Sequence, residues 1–393
     1  MWYNSIVNND EKETLNSTPS GNRVRIAFFG LRNAGKSTLV NAFCGQEVAI
    51  VSDVPGTTTD PVSKAMEILP LGPCMVTDTA GLDDVGALGA ERVRRTLDVL
   101  SAADIAIWVE GSPAPVSSLR AKFFDECCRR SVPVIEYRRG DSVEELRAKV
   151  AAVKVEPEPG ILDGLVGPGD RMICVCPIDE SAPKGRLILP QVQTIRECLD
   201  RRATCTVCQP DELPACLAER SAGSERQTLV VTDSQAFGAV RDAVDAFRAT
   251  LPPGAPGVRL TSFSVLFARQ KGDLAAYVRG LGAIAKLRDG DAVLVAEGCT
   301  HHRQCNDIGT VKIPKALRRL SGRELAFSFA SGNSFAIPKD RKPSLVVHCG
   351  GCMLTRREVR RRIALSEESG VPIVNYGLLL AAAHGLNVAD IVP

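Results

Sequence analysis

One short motif restricts the possible folds of this chain more than any other feature of its sequence. Gly30-Leu31-Arg32-Asn33-Ala34-Gly35-Lys36-Ser37 fits the pattern G-x-x-x-x-G-K-[ST], with an apolar run before it at residues 24–29 and a helical pattern after it. Glycines let a backbone wrap around phosphates, and a helix N-terminus adds positive potential. The motif therefore predicts a strand, a phosphate-binding loop and a helix. In that loop Lys36 would reach the β- and γ-phosphates, and Ser37 would offer its hydroxyl to magnesium.

Two further segments complete a predicted nucleotide site. Asp78-Thr79-Ala80-Gly81 follows an apolar run at residues 74–77, so Asp78 suits a water-mediated contact to magnesium and the Gly81 amide suits the γ-phosphate. Between the two motifs, Gly56-Thr57-Thr58-Thr59-Asp60 supplies hydroxyls, and we expect Thr58 to bind magnesium when triphosphate orders this loop. The predicted catalytic residues are Lys36, Ser37, Thr58 and Asp78.

Apolar runs alternate with helical patterns along the first part of the chain. This alternation predicts an α/β fold, a parallel sheet with helices on both faces, and the runs lie at residues 24–29, 74–77, 105–109, 132–135 and 172–176. Further helices are predicted at 187–202, 236–250 and 355–366. Turn-rich segments then suggest four regions: a flexible tail at 1–22, a P-loop domain at 23–178, a small α/β domain at 179–257 and another α/β domain at 258–393.

Charge and hydropathy exclude several classes of protein. Lys and Arg number 48 against 46 Asp and Glu, a net charge of +2, which disfavours a strongly basic protein that coats nucleic acid. No apolar run reaches the roughly 20 residues that cross a bilayer, and the first 22 residues lack the layout of a signal peptide. We therefore expect a cytoplasmic protein whose 14 cysteines stay reduced and form no disulfide framework.

Two cysteine and histidine clusters follow strand candidates in the last region. Cys299-Thr300-His301-His302 comes after the run at 292–295, and His348-Cys349-Gly350-Gly351-Cys352 comes after the run at 345–347. Both would lie at the carboxyl ends of strands, so the fold could bring them together. Soft thiolates select zinc or iron–sulfur centres. Spacing alone slightly favours structural zinc over a three-thiolate 4Fe–4S cluster with an exchangeable fourth position.

Other conspicuous residues have simpler interpretations. Cys205-Thr206-Val207-Cys208 spans a strand candidate, so its two thiols would point to different faces, and buried packing is favoured over a metal site. In the basic run at 356–362, Val359 and Ile363 are spaced to face the core, which would leave the arginines exposed. These arginines form either a solvated helix face or a surface for an acidic protein partner.

Together the nucleotide motifs resemble the translation-factor-like GTPases, and among them the tRNA-modification and ribosome-assembly subgroup, over residues 23–176. The resemblance implies that Asn33 helps to bind potassium. It also implies slow, potassium-stimulated GTP hydrolysis, because Leu82 stands where other GTPases have a water-orienting glutamine. The guanine-reading N-K-x-D is reduced to Arg138-Arg139-Gly140-Asp141, so only Asp141 is retained. The implied nucleotide-binding residues are Gly30, Asn33, Ala34, Gly35, Lys36, Ser37, Thr38, Thr58, Asp78, Gly81 and Asp141.

A P-loop GTPase followed by C-x-H and H-C-x-x-C resembles the HydF family, whose members mature iron–iron hydrogenases. The likeness extends from Ser20 onward, with supporting segments at 182–186, 261–264 and 307–309. It implies that 179–257 is a dimerisation domain and that 258–393 binds a 4Fe–4S cluster. Cys299, Cys349 and Cys352 would be its ligands, and His301 or His348 would occupy the labile fourth position.

The same resemblance implies a function and partners. The chain would be a homodimeric scaffold that uses GTP, magnesium and potassium, and that assembles a two-iron subcluster precursor made by radical SAM enzymes. It would deliver this precursor to apo iron–iron hydrogenase, without nucleic acid or membrane as a partner. Two alternatives stay open: a tRNA-modifying or ribosome-assembly GTPase with structural zinc, and an interaction switch with structural zinc. The small net charge of +2 weighs against the first of these.

Overall fold

The structure is a computed structural model of the whole chain. It describes residues 19–45, 61–83, 87–111, 118–155, 158–178, 185–219, 227–254, 257–299, 307–332, 335–338 and 340–392. The chain forms two compact units, Met1–Pro157 and Glu158–Pro393. No helix in the described part of the chain has both the length and the apolar composition that a bilayer crossing requires.

The first unit contains a five-stranded sheet with helices on both faces. Its strands are β1 Val24–Phe29, β2 Val62–Ile68, β3 Gly72–Asp78, β4 Ile105–Glu110 and β5 Val134–Arg138. Its helices are α1 Lys36–Cys44, α2 Ala87–Ala102, α3 Ser118–Arg129 and α4 Val143–Ala151. The strand order is β2-β3-β1-β4-β5, and only the edge strand β2 is antiparallel to its neighbour. The predicted α/β fold with a parallel P-loop sheet is confirmed.

Alternate side chains of β1 explain why this strand is apolar from Ile26 to Phe29. Ile26 and Phe28 pack into the core on one face of the sheet, and Ala27 and Phe29 pack into the core on the other. Phe28 meets Phe43 of α1 edge to face, with ring centroids 5.4 Å apart. Because helices cover both faces, no position of the central strand needs a polar residue. The carboxyl end of β1 is thereby fixed as the start of the phosphate-binding loop.

The second unit contains two four-stranded parallel sheets. The strands of the first are β6 Arg171–Val175, β7 Thr204–Cys208, β8 Thr228–Thr232 and β9 Val258–Ser262; those of the second are β10 Ala292–Ala296, β11 Ala326–Ala330, β12 Leu345–His348 and β13 Ile373–Asn375. The helices are α5 Leu189–Asp200, α6 Leu213–Ala218, α7 Phe237–Arg248, α8 Phe263–Lys271, α9 Leu274–Ala283, α10 Ile313–Ser321, α11 Arg356–Glu368, α12 Tyr376–Ala383 and α13 Val388–Ile391.

Both predicted boundaries inside the folded chain are wrong. The sequence places β6 in the P-loop domain at 23–178, but it is a central strand of the first sheet of the second unit, between β7 and β8. The sequence places β9 in the domain starting at 258, but it pairs with β8 in that same sheet. A short apolar run predicts a strand without saying which sheet it joins, since its partners lie far away in sequence.

Both sheets of the second unit share one strand order, which positions the cysteine clusters. The orders are β7-β6-β8-β9 and β11-β10-β12-β13. In each sheet the second strand in sequence lies on one side of the first strand, and the third and fourth strands lie on its other side. Parallel sheets bind ligands at the carboxyl edge where the direction reverses. In the second sheet that place lies between β10 and β12, the two strands after which the clusters follow.

Candidate functional site

The phosphate-binding loop joins β1 to α1 as the motif predicted. Gly30 has φ +155°, and a Cβ there would lie 2.5 Å from the carbonyl oxygen of Val109, so only glycine fits. Asn33 takes a left-handed conformation with φ 61°, and its side chain is exposed. Helix α1 begins at Lys36, directly after Gly35, whose φ is +89°. The amides of this first turn have no intrahelical acceptors and are available for an anion.

Lys36, Ser37 and Asp78 form a polar group behind the loop. The Lys36 ammonium donates to the carbonyl of Leu31 at 2.8 Å, and the Ser37 hydroxyl donates to Asp78 Oδ2 at 2.6 Å. Burial raises the pKa of Asp78, and the hydrogen bond from Ser37 and the charge of Lys36 act against it. Its other oxygen, Oδ1, is buried with no hydrogen-bond partner among the described residues. A hard carboxylate oxygen beside a hydroxyl fits a hydrated magnesium ion.

The segment after Asp78 docks directly on the phosphate-binding loop. The amide of Leu82 donates to the carbonyl of Gly30 at 3.3 Å, and Gly81 lies against the backbone of Arg32. Leu82 itself is buried in the apolar cluster that contains Phe29. An apolar side chain in that position cannot orient an attacking water. Thr58, the predicted magnesium ligand of the loop, lies outside the described residues.

The guanine-reading position lies at the carboxyl end of β5. Asp141 is exposed; its Oδ2 accepts from the amide of Arg138 at 2.8 Å, and its own amide donates back to the Arg138 carbonyl at 2.9 Å. These bonds close a turn. Guanine selection by Asp141 therefore stays a prediction.

The two cysteine clusters meet between β10 and β12. The amide of Gly298 donates to Cys349 Sγ at 3.1 Å, which brings the end of β10, and with it Cys299, against the C-x-x-C turn. Gly351 has φ +71°, which favours glycine in this turn. The contact from Gly298, the residue before Cys299, is the observation that places the two clusters at one edge of the sheet. Convergence of the three sulfurs on one metal centre stays a prediction.

The thiol chemistry of this site is consistent with metal binding that releases protons. Burial is the main cause that raises the pKa of Cys299 to about 12 and that of Cys352 to about 11, and it also raises the pKa of Cys349. Metal ligands are thiolates, so binding must displace these protons. In the described ranges, which include all three cysteines, no three His, Cys, Asp or Glu side chains are grouped around one metal ion. A 4Fe–4S cluster binds each thiolate at a different iron and needs no such grouping.

His348, the last residue of β12, has partners for both of its ring nitrogens. It is fully buried, with Nδ1 2.7 Å from the carbonyl oxygen of Cys349 and Nε2 3.4 Å from Nη1 of Arg362. A carbonyl only accepts, so Nδ1 carries the proton and Nε2 accepts from the guanidinium. Burial, and then the charge of Arg362, lower the pKa of His348 to about 3. Both ring nitrogens have partners in this structure, which weighs against the predicted role of His348 as the fourth ligand. His301 lies outside the described residues.

Two buried cations that sequence reasoning missed support the cysteine turn. Arg362 is fully buried: its Nε donates to Glu358 Oε1 at 2.8 Å and its Nη1 to the carbonyl of Glu297 at 3.3 Å. Val359 and Ile363 face the core as predicted, but the expectation that all the arginines point outward is wrong for Arg362. The other cation is Lys271 at the end of α8. A hint lay in the sequence, because Arg362 follows Val359 at i+3 and so shares its helix face.

The remaining C-x-x-C lies on β7 and takes part in packing. Cys205 contacts the sheet face that carries Cys174, with 3.9 Å between the sulfurs, while Cys208 belongs to the core on the other face. This divergence is what the alternation of a strand predicted.

Comparison with known families assigns most of the chain. Residues 161–272 match the Hydrogen maturase F dimerization domain, and residues 275–390 match the Hydrogen maturase F tetramerization domain. Residues 25–135 match the 50S ribosome-binding GTPase family. The first two matches meet between α8 and α9, so β6 and β9 both belong to the dimerisation domain.

Individual relatives match shorter stretches of the chain. The tRNA modification GTPase MnmE of Acidiphilium cryptum is 45% identical over 108 residues, 25% of this chain and 24% of that protein. GTPase Der of Wolinella succinogenes is 40% identical over 123 residues, 30% of this chain and 26% of that protein. The chain thus spans about a quarter of the length of these relatives.

Solved structures align with this chain at a low level of similarity. A variant of Era from Aquifex aeolicus bound to GDP.AlF4- aligns over 78% of this chain and 93% of that one, with 16% identity and a TM-score of 0.26. The two domains specific to hydrogen maturase F follow one another over most of the second unit, directly after a GTPase domain. The chain therefore belongs to the HydF-like hydrogenase maturation GTPases.

Proposed function

We propose that the chain is a GTP-hydrolysing scaffold that carries a 4Fe–4S cluster on Cys299, Cys349 and Cys352. On this scaffold a two-iron subcluster precursor is assembled and then delivered to apo iron–iron hydrogenase. The observation that carries the proposal is the 3.1 Å contact from the Gly298 amide to Cys349 Sγ, which joins the two cysteine clusters at one sheet edge. The two-iron subcluster precursor is the expected cargo of this site because of the family assignment.

The donor set around the turn fits an iron–sulfur cluster. Three soft thiolates and an N–H donor directed at one sulfur are the usual surroundings of such a centre, and hydrogen bonds to sulfur tune its potential. When bound, the cluster supplies an iron with an exchangeable position at which a second metal fragment can dock. The ligand for that position comes from outside the described residues, with His301 as the candidate, or from the cargo itself.

The nucleotide site supports slow hydrolysis of GTP. With GTP bound, Lys36 would leave the Leu31 carbonyl for the β- and γ-phosphates, and Ser37, Asp78 and Thr58 would hold magnesium directly or through water. Asn33, exposed on the loop, would bind potassium. Because buried Leu82 cannot orient water, hydrolysis would depend on the positive charge that potassium supplies. In this proposal GTP hydrolysis modulates exchange of partners and does not drive the metal chemistry.

The partners follow from the same assignment. Radical SAM maturation enzymes supply the precursor and apo hydrogenase receives it. The two matched domains are named for dimers and tetramers, so we expect a homo-oligomer built on a dimer. None of the described cysteines forms a disulfide bond, which suits action in the reducing cytoplasm.

Anaerobic reconstitution of the full chain tests the cluster directly. Iron and acid-labile sulfide would be measured for the wild type, for Cys299→Ala, Cys349→Ala and Cys352→Ala, and for the control Cys128→Ala, which alters an exposed cysteine in the first unit. We expect a brown wild type and control, with iron and sulfide lost in the three ligand variants. A colourless wild type that retains stoichiometric zinc would instead favour the tRNA-type GTPase with structural zinc.

Delivery is tested on the same samples. Loaded wild type and Cys128→Ala should activate apo hydrogenase when the radical SAM enzymes are supplied, and the three ligand variants should not. Activation by a variant that holds no cluster would separate carriage of the two-iron precursor from the 4Fe–4S site.

A further inference from the structure

Lys271 is a buried lysine that reaches the cysteine turn from a different domain. It is the last residue of α8 and lies within the part matched as the dimerisation domain, 161–272. The turn that it contacts lies within the part matched as the tetramerisation domain, 275–390. The side chain is fully buried, which is rare for lysine and costly unless the ammonium is well solvated by the protein.

The ammonium of Lys271 donates hydrogen bonds to the backbone at the end of the C-x-x-C turn. Its Nζ donates to the carbonyl of Leu354 at 2.7 Å and to the carbonyl of Cys352 at 3.3 Å. The aromatic ring of Phe267, one turn earlier on α8, has its centroid 5.7 Å from Nζ. Helix α8 is itself fixed at its start, where the amide of Val265 donates to the Ser262 hydroxyl at 3.2 Å. The lysine thus ties Cys352 to a rigid helix.

The same hydrogen bonds place a positive charge at the residue that carries the Cys352 sulfur, because Nζ lies 3.3 Å from the carbonyl oxygen of Cys352. A positive charge there favours the thiolate, the form that binds metal. A fixed positive charge beside an iron–sulfur centre also favours its reduced, more negative state.

We propose that Lys271 is a positioning residue of the cluster site, which holds the Cys352 backbone in place and keeps a positive charge beside that ligand. The inference rests on the proposed function, since it concerns how the site holds and tunes a 4Fe–4S cluster. It makes the dimerisation domain a structural part of the cluster site.

Three substitutions separate the two effects of Lys271. Lys271→Met removes both the charge and the donor, Lys271→Gln keeps a donor without charge, and Lys271→Arg keeps charge and donors. The matched control is Lys315→Met, which alters an exposed lysine on α10 in the same unit. Circular dichroism and thermal unfolding of each full-length variant establish which of them fold.

The readouts are iron release to a chelator and the midpoint potential of the reconstituted cluster. We expect Lys271→Met to release iron at least tenfold faster than wild type and the Lys315→Met control. We expect the cluster of Lys271→Gln to be about tenfold less reduced than that of wild type at a fixed potential, which is a decrease in midpoint potential of about 59 mV for one electron. We expect Lys271→Arg to restore most of the wild-type potential.

Equal potentials and equal iron release in folded Lys271→Gln and wild type would overturn the inference. If Lys271→Met does not fold, the comparison of Lys271→Gln with Lys271→Arg decides, because a purely structural role would not shift the potential with charge. A wild type that takes up no iron and sulfide is a different result, because it would refute the proposed 4Fe–4S cluster. That result is obtained before any lysine variant is compared.

Discussion

Replacing Arg362 by methionine should destabilise the second unit more than any other single change to the basic run of α11. The substitution keeps an unbranched apolar stem but removes the guanidinium from beneath the cysteine turn. In the wild type that group is fully buried, bonded to Glu358 at 2.8 Å and to the Glu297 carbonyl at 3.3 Å. Glu358 is only 3% exposed, so water cannot take over from the missing partner.

The size of the destabilisation depends on the hydrogen-bond partners that Glu358 keeps in Arg362→Met. Removing one partner of a buried ion pair costs about 3–5 kcal/mol, because the other charge stays buried without compensation. Arg361 still donates to both oxygens of Glu358, at 2.7 and 2.9 Å, which places the cost near the lower limit, about 3 kcal/mol. A unit of this size melts roughly 2–4 °C lower for each kcal/mol, so we expect a decrease in Tm of about 6–12 °C.

Calorimetry of the full chain, together with hydrogen exchange of peptides from β12 and α11, measures this effect. The control is Arg360→Met, an exposed arginine on the same helix, which should change stability by no more than about 0.5 kcal/mol. Equal Tm values for Arg362→Met and Arg360→Met would refute the reasoning, because they would show that the buried guanidinium contributes no more than an exposed one.

The same pair predicts a pH dependence. Burial alone would raise the pKa of Glu358, but its bonds with Arg361 and the charge of Arg362 outweigh this and hold the pKa below its ordinary 4.5. A carboxylate with a lowered folded pKa contributes stability that is complete above 4.5 and is lost as the pH falls through the folded value. The difference in Tm between wild type and Arg362→Met should therefore be largest at neutral pH and narrow in acid.

Three further predictions concern the two sites. Asp78→Asn should weaken magnesium affinity by about 10–100-fold, because it neutralises the carboxylate behind Ser37. Titration of GTP hydrolysis with magnesium measures this change, and an unchanged titration would exclude Asp78 as a magnesium-binding residue. GTP turnover should be faster in potassium than in sodium, and equal rates would exclude Asn33 as a potassium ligand. His348→Gln should keep the iron and sulfide of wild type, since both ring nitrogens are already bonded; loss of iron from a folded variant would make His348 a ligand after all.

Sequence reasoning succeeded where the structure depends on neighbouring residues. The phosphate-binding loop was predictable because Gly30, Gly35 and Lys36 lie within a few positions and each has a local physical reason. The meeting of Cys299 with Cys349 was predictable too, because ends of parallel strands share one edge. The domain boundaries were not, since β6 and β9 have the same apolar composition as strands of the first unit and differ only in their distant partners.

Buried cations mark the other limit of prediction. Lys271 and Arg362 belong to residue types that are almost always exposed, so composition argues against burial. What turns them inward is a set of carbonyl groups from segments far away in sequence, those of Leu354, Cys352 and Glu297. Arg362 is also bonded to the carboxylate of Glu358, one turn earlier on its own helix. The register of Arg362 with Glu358 and Val359 gave a local hint, and no such hint exists for Lys271.

The two sheets of the second unit show that strand order alone does not create a metal site. In both sheets the chain direction reverses between the first and third strands in sequence, which are β6 and β8 in one sheet and β10 and β12 in the other. The carboxyl edge at such a reversal is the usual place for a ligand. In the dimerisation domain the third strand is followed by Asp233, whose Oδ2 accepts from Gln191 Nε2 at 2.8 Å, so polar side chains there are bonded to each other. In the second sheet the same edge presents Cys349 with a backbone amide directed at its sulfur. The fold supplies two equivalent places, and the identity of the residues after each strand decides which one can bind a cluster.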